Sequence, residues 1–180
     1  MFVQTENTPN PNSLKFIPGK IVSEDGPIEI LDKNESSNEL IFNILSLEGI
    51  RGIFLYKDFL TVNKISDVKW SDLKHIIISY INDYYGKGNL SVIEKKNNKI
   101  DNINFGEVEK KIINVLETKV RPAVARDGGD IVFQNYKDGI VTVKLQGSCS
   151  GCPSSTITLK KGVESLLFHY VPEVKEVIST

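Results

Sequence analysis

The sequence predicts an α+β protein of two small domains, each a short sheet packed with two or so helices. Two observations support this prediction. Strand-like and helix-like segments come in separate groups along each half of the chain. A stretch rich in Lys, Asn and Asp, EKKNNKIDNIN at 94–104, has almost no apolar periodicity and is typical of a linker. We therefore predict domains at residues 1–95 and 105–180, joined by a linker at 96–104.

The N-terminal half contains alternating segments that predict short strands, namely FVQTE, LKFIPG and IEIL. A helix is expected in SSNELIFNILSLEG, because its apolar residues follow helical spacing and Gly49 can end it. A hairpin that turns at Lys57-Asp58 is expected in IRGIFLYKDFLTVNK. A second helix, with a Ser/Asp start and an end at Gly86, is expected in WSDLKHIIISYINDYYG. The aromatic side chains near its ends are expected to serve packing: Trp70, Tyr84 and Tyr85.

The C-terminal half begins with an amphipathic helix in FGEVEKKIINVLETKVRPAV, which Pro122 is expected to end or kink. Two strands follow at 130–136 and 140–146, and the KDG between them is a strong hairpin signal. A further helix is predicted from Pro153, and EVKEVI is expected to form the last strand.

The composition argues against several classes of partner. The formal net charge is −1, and only three residues are arginine against 19 lysines, which disfavours nucleic-acid recognition. No apolar run approaches the ~18 residues that a membrane span needs. The first residues show neither a signal peptide nor a transit peptide, so the chain is expected to remain where it is made or to be a mature form.

Both cysteines, Cys149 and Cys152, lie in the segment LQGSCSGCPSST, between a strand that ends near Gly147 and a helix that starts at Pro153. The unpaired N–H groups and the positive dipole end of that helix stabilise a thiolate over a thiol. A thiolate is the form that binds metal or attacks an electrophile. The sequence therefore predicts exposed, activated sulfurs.

Three interpretations of the pair remain open on this reasoning. Its spacing at a helix start disfavours a merely structural loop. A thioredoxin-like dithiol is disfavoured because the proline follows the pair and the preceding strands predict a hairpin. Zinc and iron–sulfur sites usually need four protein ligands, and this chain offers two. His75 and His169 are expected to be partly buried structural residues, so the set is completed most simply if two chains meet across a two-fold axis.

The residues around the cysteines resemble a known family. The segments VRPAVARDGGDIVF, VKLQGSCSGCPSSTITLKKGVESLL and VPEV resemble the NifU-like C-terminal domain of the Nfu iron–sulfur scaffold and carrier proteins. In the first half, TENTPNPNSLKFIPG and IFNILSLEGIRGIFLYKDFLTVNK resemble the N-terminal Nfu domain. The two resemblances together cover nearly the whole chain, in the expected order.

The resemblance implies a carrier that is not an enzyme. It implies a [4Fe–4S] cluster held by Cys149 and Cys152 of both subunits in a homodimer, one cluster per two subunits. Expected partners are apo iron–sulfur proteins that receive the cluster and upstream assembly proteins. The start of the chain points to a bacterial cytoplasm, or to the mitochondrial matrix for a processed organellar form. The alternatives are a thiol–disulfide oxidoreductase and a zinc-bridged structural dimer.

The motif RDGGD lies in the same half. Gly128 and Gly129 allow a positive-φ turn that Asp127 or Asp130 can cap, which explains the motif without a catalytic carboxylate. The arginines at 121 and 126 are expected either to offset the charge of a thiolate-bound cluster or to lie on a solvated face.

Overall fold

The computed structural model describes residues 2–95, 105–151 and 153–180, and the side chains of all of these except 153–156. The chain divides into two compact units, Met1–Asn97 and Asn98–Thr180, called here the N-terminal and C-terminal units. Each contains a short sheet and helices, so the predicted α+β class is confirmed. The predicted linker at 96–104 lies outside the described residues.

The N-terminal unit is built on a five-stranded antiparallel sheet in the order β1-β2-β5-β4-β3. Its strands are β1 Gln4–Asn7, β2 Ser13–Ile17, β3 Ile28–Ile30, β4 Ile50–Leu55 and β5 Leu60–Lys64. Its helices are α1 Glu39–Leu45 and α2 Trp70–Gly86, with a 3₁₀ turn at Lys33–Glu35. The predicted hairpin is confirmed, because Leu55 pairs with Leu60 across the turn that contains Lys57-Asp58.

The aromatic residues near the ends of α2 pack as the sequence predicts, and the structure shows that they also donate hydrogen bonds. Tyr84 and Tyr85 are buried, and their hydroxyls donate to the carbonyls of Ser91 (2.9 Å) and Ile21 (2.8 Å). Burial, helped by the neighbouring phenol of Tyr84, raises the pKa of Tyr85 above its ordinary value. The Trp70 ring meets Phe16 edge-on, with 6.5 Å between ring centroids. These contacts tie α2 to the sheet and to the segment that follows it.

The two helices of this unit begin differently. The Asn38 side chain caps α1 by accepting from the backbone N–H groups of Leu40 and Ile41, as expected of a Ser/Asn start. The Ser/Asp start predicted for α2 is wrong, because its N-cap is Lys69, which makes no side-chain capping bond. Ser71 and Asp72 lie in the first turn of α2 and bond to each other, at 2.9 Å.

The C-terminal unit has a three-stranded sheet in the order β6-β7-β8. Its strands are β6 Gly129–Lys137, β7 Ile140–Gly147 and β8 Glu176–Ser179. Its helices are α3 Glu107–Val115, α4 Arg121–Arg126 and α5 Pro153–Tyr170. Strands β7 and β8 are parallel, which requires a crossover, and α5 lies within that crossover. The helices and one face of the sheet enclose an apolar core.

The β6–β7 hairpin matches its predicted bounds to within one residue. Asp138 (φ 53°) and Gly139 (φ 88°) both have positive φ, as a two-residue type I′ turn requires. Lys137 pairs with Ile140 on either side of this turn. The register set at the turn shifts by one residue at a bulge between Phe133 and Asn135, and the pairing then continues to Gly129 and Gly147 at the far end of the hairpin.

The first helical run of this unit does not end at Pro122. A π-helical turn, Leu116–Val120, joins α3 to α4, and Pro122 lies in the first turn of α4. At the start of a helix the missing N–H of proline removes no bond, so the run continues to Arg126.

Within the part of the chain that the structure describes, no helix is long and apolar enough to cross a bilayer.

Candidate metal centre at the cysteine loop

The cysteine loop, defined here as residues 148–152, connects β7 to α5. Helix α5 begins at Pro153, as predicted. The loop turns tightly where β7 ends, because Gly147 has φ 66° and its carbonyl accepts from both the N–H (3.2 Å) and the Oγ (3.0 Å) of Ser150. The predicted ligand Cys152 lies outside the described residues, so its position stays a prediction.

A second segment holds the loop in place: the turn between α4 and β6, residues 127–129. The N–H of Ser148 donates to the carbonyl of Gly128 at 3.2 Å, and the Ser148 hydroxyl donates to the carbonyl of Asp127. Ser148 is buried as a result. The loop is therefore fixed to a turn about twenty residues earlier in the chain, through side-chain and backbone bonds together.

Cys149 is buried, with 7% of its surface exposed, and belongs to the apolar core of the C-terminal unit. Its sulfur lies 3.9 Å from the hydroxyl oxygen of Ser148. The prediction of exposed sulfurs is therefore wrong for this cysteine. The physical reason is the attachment of the loop to the α4–β6 turn, which brings the Cys149 side chain against the core.

Gly129 makes room for that sulfur. A Cβ atom at Gly129 would lie 2.5 Å from Cys149 Sγ and 2.8 Å from the backbone oxygen of Gln146. No side chain fits at such distances unless the backbone moves. Gly128 has φ 79°, so the positive-φ turn predicted for this pair of glycines is confirmed there. The second glycine is needed for a different reason, the close approach of Cys149.

The next residue, Asp130, forms an ion pair that sequence reasoning missed. Its side chain is fully buried, and Arg121 donates to both of its oxygens, from Nε to Oδ1 (2.8 Å) and from Nη2 to Oδ2 (2.9 Å). Nη1 of Arg121 also pairs with Glu117 at 3.2 Å. Arg121 is thus neither a solvated residue nor a bare counter-charge. The available signal was an aspartate inside the apolar strand segment DIVF.

The histidines do not join the cysteine loop. His75 on α2 and His169 on α5 are both exposed, so the expectation that they are partly buried is wrong. Arg126, in the last turn of α4, is exposed as well. Among the described residues, no group of three or more His, Cys, Asp and Glu side chains could hold a metal ion. Cys149 is the one predicted ligand whose surroundings the structure gives.

Comparison with known proteins follows the division into two units. A family model described as "Scaffold protein Nfu/NifU N terminal" matches residues 3–88, and one described as "NifU-like domain" matches residues 112–178. The human protein named "NFU1 iron-sulfur cluster scaffold homolog, mitochondrial" is 41% identical over 180 residues, which cover 98% of this chain and 71% of that protein. The chain belongs to the Nfu family of iron–sulfur cluster scaffold proteins. The family resemblance drawn from the sequence is confirmed.

A second curated relative and one solved structure also match part or nearly all of the chain. An Arabidopsis thaliana protein named "NifU-like protein 4, mitochondrial" is 40% identical over 184 residues, or 98% of this chain and 65% of that protein. The chain thus spans about two thirds of the length of these relatives. The solution structure of a NifU-like protein from Saccharomyces cerevisiae matches 53% of this chain and 87% of its own, with 29% identity and a TM-score of 0.48.

Proposed function

We propose that this Nfu protein is not an enzyme but a carrier that holds a [4Fe–4S] cluster as cargo and transfers it to apo iron–sulfur proteins. The observation that carries the proposal is the position of both cysteines of the chain in one loop within the NifU-like match. The human relative's name, an iron–sulfur cluster scaffold homolog, supports the same reading. Thiolates are the usual protein ligands of such clusters.

The number of ligands leads to a dimer. A [4Fe–4S] cluster takes four thiolates, and each chain supplies Cys149 and Cys152. Two copies of the cysteine loop related by a two-fold axis provide the full set, one cluster per two subunits. The loaded form is therefore a homodimer in this proposal.

Loading requires movement of the cysteine loop, because Cys149 is buried. The two hydrogen bonds from Ser148 to the α4–β6 turn must break for the sulfur to reach an iron atom. Each such bond contributes about 0.5–1.5 kcal/mol to stability, so the free energy of opening the loop is small compared with that of forming several iron–sulfur bonds. A loop that is closed when empty would also shield the sulfur from oxidants after the cluster has left.

The two halves have different roles in this proposal. Residues 105–180 form the cluster-binding domain, residues 96–104 the linker, and residues 1–95 a domain that positions partners. Those partners are apo-proteins and upstream assembly proteins. The names of the human and Arabidopsis relatives place them in mitochondria, which favours the mitochondrial matrix over the bacterial cytoplasm for this chain.

Anaerobic reconstitution with iron and sulfide, followed by visible absorption, tests the function. The carrier is expected to turn brown and show a broad band from thiolate-to-iron charge transfer. A colourless protein with bound zinc would instead favour a structural dimer, and a colourless protein that reduces insulin disulfides would favour an oxidoreductase. A His75→Ala/His169→Ala double variant is the control, and it should bind as much iron as the wild type.

A further inference from the structure

We propose that the ion pair between Arg121 and Asp130 is a clamp that positions the sulfur of Cys149. Its purpose, holding that sulfur in the closed loop until a cluster is loaded, rests on the proposed function. The positioning itself is a property of the empty protein and can be measured without any cluster.

The clamp joins the two ends of one short segment. Arg121 is the first residue of α4, and Asp130 is the second residue of β6. Between them lies the α4–β6 turn, with Gly128 at φ 79°. Two parallel N–H···O bonds, 2.8 and 2.9 Å, fix both the distance and the relative orientation of the segment's ends. A single point charge would fix the distance alone.

The residues of the turn that contact the cysteine loop lie between Arg121 and Asp130. The carbonyls of Asp127 and Gly128 accept from Ser148, the residue before Cys149. Gly129, the residue before Asp130, has no Cβ and packs closely against the sulfur. A shift of Asp130 therefore moves Gly129, the residue against which the sulfur packs.

The chemistry of the pair favours positioning over simple stabilisation. Asp130 is fully buried, whereas the Arg121 side chain is 25% exposed. Buried ion pairs often add little to stability compared with apolar residues of similar volume, because both charges lose their hydration. What a bidentate pair supplies is a single fixed geometry. Here that fixed geometry keeps the buried sulfur of Cys149 packed against Gly129 in the closed loop.

Alkylation of Cys149 by iodoacetamide measures the clamp directly. The experiment uses the full chain with Cys152→Ser, under native conditions at one fixed pH, with urea unfolding recorded for each variant. Asp130→Asn keeps the shape of the side chain and removes its charge. We expect Cys149 of this variant to react at least about tenfold faster than in the same chain with Asp130, because the loss of charge-assisted hydrogen bonds makes local opening easier.

Two controls separate positioning from general loss of stability. Val141→Ala removes buried volume from β7, away from the turn, and supplies a variant of lowered stability. Glu173→Gln removes a different ion pair of this unit, that with Lys111. Neither should change the alkylation rate beyond its effect on global unfolding. Arg121→Lys, which keeps the charge but not the paired donors, should fall between the wild type and Asp130→Asn.

The proposal is overturned if Asp130→Asn reacts no faster than Val141→Ala at equal loss of stability. Should Asp130→Asn fail to fold, Arg121→Gln repeats the test from the more exposed partner. If neither variant folds, the proposal is overturned too, because a role of the ion pair in the stability of the fold would then explain the result. A wild type that takes up no cluster while Asp130→Asn still accelerates alkylation would refute the proposed function and leave the clamp standing.

Discussion

An added side chain at Gly129 would clash with the cysteine loop. An added Cβ would lie 2.5 Å from the Cys149 sulfur and 2.8 Å from the Gln146 carbonyl oxygen. We expect Gly129→Ala to destabilise the C-terminal unit by about 1–3 kcal/mol, the usual effect of overpacking, and to lower cluster uptake strongly. Urea unfolding and iron counts after reconstitution measure the two effects.

Gly162→Ala is the matched control. Gly162 lies inside α5, and a Cβ there would meet nothing within 4 Å. Because alanine is the better helix former by about 1 kcal/mol, this variant should be as stable as the wild type or more so and should load normally. If Gly129→Ala matched it in both stability and iron content, the close packing of Cys149 on Gly129 would be refuted.

At this scale the sequence predicts which residues matter better than it predicts their surroundings. Cys149 and the glycines of RDGGD stand out from spacing and residue type alone. The burial of Cys149 and the partner of Asp130 depend on the approach of two segments about twenty residues apart, which no local pattern encodes. The same limit explains why His75 and His169 were predicted to be partly buried, since that prediction used only their positions on helices.

The β6–β7 hairpin offers the clearest test at the scale of an element. Gly139 has φ 88°, and a Cβ there would lie 2.8 Å from Cδ of Lys175, the residue before β8. We expect Gly139→Ala to cost about 1–2 kcal/mol for its left-handed backbone, and more for the displaced Lys175. The midpoint of urea unfolding measures the sum.

A second glycine separates the two contributions. Gly151 has φ 73°, but a Cβ there would meet nothing within 4 Å, so Gly151→Ala carries the backbone cost alone. The hairpin variant should therefore be the less stable of the two. Equal midpoints would contradict the packing of Lys175 against the turn.

The strands of this hairpin, which have clear local sequence signals, were predicted to within one residue. Two features of the helices were not predicted. Alternation and the Asp-Gly step define both strands of this hairpin. By contrast, the segment predicted for α2 coincides with the helix, but its predicted Ser/Asp cap is wrong, because the N-cap is Lys69 and makes no side-chain capping bond. The π-helical turn before Pro122 was also unforeseen, because proline signals a break in hydrogen bonding without showing on which side the chain adjusts.

On the scale of the whole molecule, each unit has its own sheet and its own apolar core. We therefore expect a chain cut near residue 102 to give two halves that each fold alone. Dispersed amide spectra and a cooperative thermal transition in both halves would support this. If neither half folds by itself, the division into two domains, with the bounds predicted from the linker composition, is wrong.

The fold class and the family were accessible from the sequence because they rest on long-range composition and on extended motifs. The meeting of two chains was inferred from the number of ligands and from the family resemblance, and its direct test is a measurement of oligomeric state.

Analytical ultracentrifugation with iron and sulfide counts supplies that measurement, on the wild type and on Cys149→Ser and Cys152→Ser. A ligand that binds only the dimer must shift the equilibrium toward it, so loading should produce dimers with four iron atoms per two chains. Each serine variant loses two of the four ligands by symmetry and should stay folded with almost no stable cluster. A loaded wild-type monomer with four iron atoms, or a serine variant with a full complement, would contradict the shared cluster.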